Sequence, residues 1–140
     1  SPGIKDNLLQ YSLALIEFSK RNYNASLQII QKIKFDHFIL KYDVYNITLR
    51  IYYELKYFEN AYSLIDSYKH FLLKNKSVSE FFKERYLNFT GFLNALIKCS
   101  NKGSGFEIKM LKNEILNTQN VVSGIWLLEK IEELEMDKQN

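Results

Sequence analysis

The sequence is poor in the residues that cross-link chains, interrupt helices or bind metals. It has one cysteine, Cys99, and two histidines in 140 residues, which excludes an intrachain disulfide and a thiolate metal cage. A lone cysteine is typical of a reducing compartment, and we predict a cytoplasmic protein. Pro2 is the only proline, and glycine occurs five times. Because proline and glycine interrupt helices, the long stretches without them favour an all-α fold.

Long hydrophobic runs and a strong charge of one sign are also missing. No apolar run approaches the roughly 18 residues of a membrane-spanning helix, and no segment has the pattern of a signal peptide. The formal net charge is +3, and the lysines are interleaved with glutamates, so a nucleic-acid surface is not indicated. Hydrophobic residues make up 46% of the chain, which is enough to form a buried core.

The clearest helical periodicity lies in the stretch 42–73. Apolar residues recur there at steps of three and four, which places them on one face of a helix. Two adjoining stripes make the first helix of this stretch apolar around more than half of its circumference, as is typical of a helix between neighbours. They consist of Val44, Ile47, Ile51 and Leu55, and of Tyr45, Leu49 and Tyr52. Lys56 and Tyr57 are predicted to form a turn, and a second helix begins at Phe58.

An internal repeat with an offset of 35 residues relates this stretch to the one before it. The segment RNYNASLQIIQKI at 21–33 aligns with KYFENAYSLIDSY at 56–68. The alignment pairs an aromatic residue, Tyr23 with Phe58, and a small residue three positions later. The other matched pairs are Ser26 with Ala61, Ala14 with Leu49, Ile16 with Ile51, Leu27 with Tyr62, Ile30 with Ile65, and Ile33 with Tyr68. A repeat of this length predicts stacked helical hairpins.

Through these residues the chain resembles the tetratricopeptide-repeat (TPR) family over about 7–73. It shares an aromatic residue after the turn, a small residue three positions later and apolar residues at helical steps, and the family period is about 34 residues. Both copies lack the family's tryptophan, its first-helix glycine and the proline after its second helix. The segment KERYLNF at 83–89, followed by a long linker, is similar to the C-terminal end of some uncharacterised bacterial TPR proteins. The resemblance implies an antiparallel helical-hairpin solenoid.

The remainder of the chain predicts three more helices. The first spans about 80–99 and contains Gly91, which costs about 1 kcal/mol relative to alanine, so we expect close helix packing there. The segment NKGSG predicts a flexible loop, since Gly103 and Gly105 permit positive φ. Helices over about 106–117 and 121–136 follow. The last one has an acidic outer face, which suits the end of a solenoid.

We therefore predict an all-α, TPR-like solenoid of about seven helices that forms a single domain over 1–140. Its hairpins are placed at about 4–34, 42–73 and 80–117, with a capping helix at about 121–136. The first helix has hardly any polar face and would expose a large apolar patch. We expect an earlier repeat, a partner or a second copy to cover that patch, or the C-terminal helices to fold back over it.

No group of residues has the spacing of a catalytic or metal site. His37 has no second histidine nearby, and no base is placed to activate Cys99. Glu80 and Glu84 are flanked by cationic residues, as on an ordinary solvated helix face. The segment 101–105 lacks the strand context of a phosphate-binding loop. We predict a non-enzymatic protein without a cofactor or metal.

The resemblance also implies a binding surface, because the first helix of each TPR hairpin lines a concave groove. The implied partner-binding residues are Asp43, Asn46, Arg50 and Tyr53 from the second hairpin, and Arg85, Asn88 and Phe92 from the third. The two arginines would pair with carboxylates of the partner. The full Lys/Asn/Arg set of carboxylate-clamp TPR domains is missing, so binding of chaperone tails is not supported.

The function predicted on this basis is a protein–protein interaction module that binds a partner peptide or helix in the groove. The alternative is a structural role without a ligand, either as the C-terminal cap of a longer helical-repeat protein or as a self-association module. Neither function involves nucleic acid or a membrane.

Overall fold

The computed structural model describes residues 2–34 and 38–139, with the side chains of 3–34 and 41–139. Seven α-helices and no strands occur in these residues, which confirms the all-α prediction. The helices are α1 Pro2–Ser19, α2 Tyr23–Ile30, α3 Phe38–Glu54, α4 Phe58–Lys74, α5 Glu80–Lys102, α6 Gly105–Leu116 and α7 Gly124–Gln139. None of the helices in the described ranges is both long and apolar enough to cross a bilayer.

Most helix boundaries lie within two residues of the predicted ones. α3 begins at Phe38, four residues before its predicted start, and α7 is shifted by three residues at both ends. α2 ends at Ile30 instead of near Lys34, because the N–H groups of Lys32 and Ile33 donate to carbonyls three residues back and tighten the chain into a turn. α5 continues to Lys102, through part of the segment that the sequence predicted to be a loop.

The chain divides into two compact units between Ile65 and Asp66, and each is described by itself. In the first unit, α1, α2 and α3 each pack against the other two. The buried apolar cluster between them consists of Ala14, Ile30, Ile33, Val44, Ile47 and Ile51, all at most 5% exposed. The single-domain organisation stays a prediction.

The turn between α1 and α2 is a Schellman motif without glycine. Arg21 adopts a left-handed backbone with φ of 64°. The N–H of Asn22 donates to the carbonyl of Glu17 at 2.9 Å, and the N–H of Arg21 donates to the carbonyl of Phe18 at 2.9 Å. These two bonds satisfy carbonyls that the end of α1 would otherwise leave unpaired.

The turn between α3 and α4 repeats this arrangement 35 residues later. Lys56 has φ of 61°. The N–H of Tyr57 donates to the carbonyl of Tyr52 at 2.8 Å, and the N–H of Lys56 donates to the carbonyl of Tyr53 at 3.0 Å. Each donor and acceptor of the first turn thus has its counterpart in the second, so the repeat seen in the sequence is also a repeat of backbone geometry.

Aromatic pairs brace both turns at equivalent positions. The rings of Phe18 and Tyr23 have centroids 5.2 Å apart, and those of Tyr53 and Phe58 have centroids 5.9 Å apart. Such tilted and edge-on contacts stabilise a pair beyond simple burial. The aromatic residue after each turn, which carries part of the TPR resemblance, therefore contacts the helix before the turn.

The small residues of the repeat lie where side chains have no room. Ser26 and Ala61 are fully buried, and so are the matched residues Ala14 and Leu49. The hydroxyl of Ser26 donates to the carbonyl of Ala14 at 2.7 Å and ties α2 to α1. These contacts explain the small residue at this position of the repeat. Membership of the TPR family stays a prediction.

In the second unit, α5, α6 and α7 each pack against the other two. Its fully buried apolar side chains on α5 and α7 are Phe89, Leu93, Leu96, Ile97, Leu127 and Ile131. The ring of Trp126 lies 6.3 Å from that of Phe89, centroid to centroid. α5 and α7 are therefore joined through an apolar and aromatic core.

The connection from α5 to α6 is tight, so the prediction of a flexible loop is wrong. Only Gly103 and Ser104 lie between the helices, and the hydroxyl of Ser104 caps α6 by accepting the N–H of Glu107 at 3.1 Å. Neither Gly103 nor Gly105 has a positive φ. Gly103 is required by space, because a Cβ there would lie 2.6 Å from the Cα of Cys99.

Gly91 has the opposite environment, and the prediction of close packing around it is wrong. It is exposed in the middle of α5, and a Cβ at this position would meet nothing within 4 Å. Gly91 is thus unfavourable for helix stability without a packing contact that offsets it.

Alanine at these two glycines should therefore have opposite effects. Gly103→Ala should lower the free energy of unfolding by about 1–3 kcal/mol, because the methyl group forces the backbone apart. Gly91→Ala should raise it by about 1 kcal/mol through helix propensity. Urea denaturation followed by circular dichroism measures both, and shifts of the same sign would contradict the geometry at Gly103.

Candidate binding surfaces

The four predicted groove residues of α3 do not share one environment. Asp43 and Arg50 are half-buried, whereas Asn46 and Tyr53 are only 4% and 8% exposed. The guanidinium Nε of Arg50 donates to Oδ1 of Asn46 at 2.9 Å, one helical turn back. Asp43 and Arg50 are therefore the members of this set that present polar atoms near the surface.

Arg50 is held within the first unit by groups of its own chain. Its guanidinium carbon lies 4.9 Å above the ring of Phe18 on α1, a cation–π contact. Burial lowers the pKa of Arg50, and the opposing interactions come from Tyr11, Asp43 and Glu54. With carboxylates before and after it on α3, the charge of Arg50 is compensated internally, so this arginine is a weak receptor for a partner's carboxylate.

The hydroxyl groups of two tyrosines belong to the same polar cluster. The hydroxyl of Tyr23 donates to Oε2 of Glu54 at 2.8 Å and links α2 to α3. Burial, followed by the nearby Asp43, raises the pKa of Tyr11. The cluster thus joins all three helices of the first unit, and its geometry fits a structural role.

In the second unit, the predicted residues Arg85, Asn88 and Phe92 lie on one face of α5, at steps of three and four residues. The amide nitrogen of Asn88 donates to the carbonyl of Asn120 at 2.9 Å. Asn120 in turn donates its amide to the carbonyl of Phe81 at 3.0 Å. These bonds fasten the loop between α6 and α7 onto α5.

Beside this loop lies a shallow depression of about 480 Å³. Its lining consists of Arg85, Ile115, Leu116, Thr118, Gln119, Val121, Ser123, Gly124, Ile125 and Leu128. Leu116 and Ile125 are 57% and 79% exposed. Arg85 is the only charged residue in the lining, so the depression combines apolar walls with one cation.

Arg85 differs from Arg50 in that no described carboxylate forms an ion pair with it. It is exposed, and within the described ranges its side chain takes part in no ion pair or hydrogen bond. An exposed guanidinium with five free N–H donors suits a carboxylate supplied from outside.

Phe92 lines a second depression of about 450 Å³, between α5 and α6. Its other lining residues are Met110, Asn113, Glu114, Asn117 and Thr118. Thr118 contributes to both depressions, so the two adjoin on the surface of the second unit. Arg85 and Phe92 therefore line adjoining depressions, and Asn88 lies between them in sequence on α5.

The residues with candidate chemistry show ordinary structural environments. Burial, and next Glu107, raises the pKa of the Cys99 thiol, which disfavours the reactive thiolate. His70 is exposed and lies 2.8 Å from the carbonyl of Asp66 in its own helix. Glu80 is paired with Lys83 at 3.6 Å. His37 lies outside the described residues, and in the remainder no three His, Cys, Asp or Glu side chains form a metal-binding group.

Sequence reasoning missed the contribution of the α6–α7 loop and of the start of α7. Helical spacing places Ile125 on the apolar stripe of the last helix, yet it is the most exposed of the large apolar side chains described. The segment VVSGIWLLEKI at 121–131 contains more apolar residues than a single face of a helix can bury. This surplus was the signal that some of them would be exposed.

Comparisons of the chain with protein-family models, with curated proteins and with solved structures find no match. The TPR resemblance accordingly stays a prediction from the sequence.

Proposed function

We propose that this protein is a non-enzymatic interaction module that binds a peptide or helix of a partner protein along the face of α5 marked by Arg85, Asn88 and Phe92. The partner inserts an apolar side chain into the depression beside the α6–α7 loop. A carboxylate next to that side chain pairs with the guanidinium of Arg85.

The observation that carries this proposal is the uncompensated cation at the rim of an apolar depression. The exposed Leu116 and Ile125 offer apolar surface that a partner side chain can cover, and burial of such surface drives association. Arg85 adds orientation and specificity through a charge-assisted pair.

The α3 half of the predicted groove has a smaller role in this proposal. Asn46 and Tyr53 are buried, and Arg50 is compensated by Asp43 and Glu54. These residues support the fold of the first unit. The TPR-like solenoid and the cytoplasmic location stay predictions.

A random peptide library displayed on phage tests the proposal with a defined probe. Selection on the full chain should enrich peptides that carry an aliphatic or aromatic residue beside Asp or Glu. Arg85→Glu should weaken a selected peptide about tenfold, which corresponds to about 1.4 kcal/mol. Fluorescence polarisation of the labelled peptide measures the dissociation constant.

The matched control is Lys98→Glu, which makes the same charge reversal at another exposed position of α5. It should change the affinity less than twofold, roughly the scale of an unspecific long-range charge effect. The proposal fails if the selected peptides bind the Arg85→Glu and Lys98→Glu variants equally well, or if no peptide family is enriched.

A further inference from the structure

The outer face of α1 is a second apolar surface, on a different unit from the depression beside Arg85. Its exposed apolar residues are Ile4, Leu8, Leu9, Leu13, Leu15 and Ile16, each at least 36% exposed. The expectation that this helix exposes a large apolar patch is confirmed. A patch of this kind marks an interaction site in a folded protein.

The internal repeat identifies which part of this face lacks a neighbour. With the offset of 35 residues, Leu9 and Ile16 of α1 are equivalent to Val44 and Ile51 of α3. Val44 and Ile51 are 3% and 0% exposed, whereas Leu9 and Ile16 are 56% and 47% exposed. The repeat unit that contains α3 thus has these side chains covered, whereas the repeat unit that contains α1 leaves them exposed.

The structure also shows what covers the face of α3. Val44 and Ile51 share one apolar cluster with Ile30 and Ile33, which lie on α2 and just after it, and with Ala14 of α1. The neighbour on this face is thus a helical hairpin that presents two branched aliphatic residues three positions apart.

We propose that Leu9 and Ile16 of α1 form a docking site for a helical hairpin of the α1–α2 kind, whose second helix ends on one branched aliphatic residue and is followed, three positions later, by another in the turn after it. The second helix of this hairpin packs on α1 as α2 packs on α3, and the hairpin continues the helix stack by one layer. The α2 helix of a free second copy is not the occupant, because its Ile30 and Ile33 are already buried at 4% and 5% exposure.

The probe is an additional α1–α2 hairpin tethered in the register of the repeat. A copy of residues 1–35 is placed directly before Ser1 in a Cys99→Ala background, and single cysteines are introduced into the original α1. Leu9→Cys and Ile16→Cys report on the docking site. Leu8→Cys and Leu15→Cys are the controls, because their counterparts on α3, Asp43 and Arg50, stay half-exposed.

In the extended chain, a thiol reagent should modify Leu9→Cys and Ile16→Cys at least about tenfold more slowly than in the original chain, since protection follows burial of the site. Leu8→Cys and Leu15→Cys should change less than threefold, roughly the scatter of local accessibility. Circular dichroism confirms that each variant is helical.

Three outcomes overturn the proposal. The first is unchanged reactivity at both reporter positions, which means that the added hairpin does not dock. The second is equal protection at all four positions, which indicates unspecific coverage. The third is that Leu9→Cys and Ile16→Cys in the original chain react more slowly as the protein concentration rises. In that case a second copy of the chain is the occupant.

Discussion

Replacing Phe89 with alanine is expected to lower the free energy of unfolding by about 3–5 kcal/mol. Phe89 is fully buried on α5, and its ring centroid lies 6.3 Å from that of Trp126 on α7. The substitution removes apolar area and leaves a cavity between the two helices, and the two terms add. For a domain whose stability is about 5–15 kcal/mol, this loss is a large share.

Phe81→Ala is the matched control for this prediction. Phe81 has the same ring on the same helix but is 66% exposed, so its replacement should change stability by no more than about 0.5 kcal/mol. Trp126 is the only tryptophan, and its fluorescence during urea denaturation reports on the second unit. Equal effects of Phe81→Ala and Phe89→Ala would show that α5 packs through a different face.

The sequence was sufficient to predict those parts of the fold that depend on local periodicity. The helix starts at Phe58 and Glu80 are confirmed, because an apolar stripe or a serine cap marks them. The 35-residue offset proved to be more than a similarity of composition. The structure shows that residues related by this offset form equivalent backbone hydrogen bonds in the two turns.

Residues whose roles depend on contacts distant in sequence were predicted less well. Gly91 and Gly103 look alike in the sequence, yet one is open to solvent and the other lies against the backbone of Cys99. Arg50 and Arg85 were predicted to play the same part in a groove. Their difference arises from Asp43 and Glu54, which act on the guanidinium of Arg50, whereas no carboxylate among the described residues lines the depression beside Arg85.

The candidate surface beside Arg85 was predicted only in part for the same reason. Arg85, Asn88 and Phe92 follow from helical spacing on α5, but the apolar wall that makes a depression comes from the α6–α7 loop. That loop is positioned by the amide of Asn120, which bonds to the carbonyl of Phe81 across 39 positions of sequence. No local pattern in the sequence encodes such a bond.

Replacing Ile51 with alanine is expected to lower the free energy of unfolding by about 2–5 kcal/mol. Ile51 is fully buried in the apolar cluster of the first unit, where a shortened side chain leaves a cavity that close-packed neighbours fill only in part. Ile16→Ala should lower it by less than about 1 kcal/mol, because Ile16 is 47% exposed and alanine has the higher helix propensity.

This pair of substitutions is matched in residue type, helix position and place in the repeat. The difference between the two losses of unfolding free energy therefore measures the packing that α3 has and α1 lacks. Urea denaturation followed by circular dichroism, with hydrogen exchange to locate the loss in α1–α3, gives both values. Similar losses at Ile16 and Ile51 would mean that α1 already has a covering layer in solution. If the docking proposal is right, an added α1–α2 hairpin should raise the effect of Ile16→Ala toward that of Ile51→Ala, since the cost of a cavity depends on the surrounding contacts.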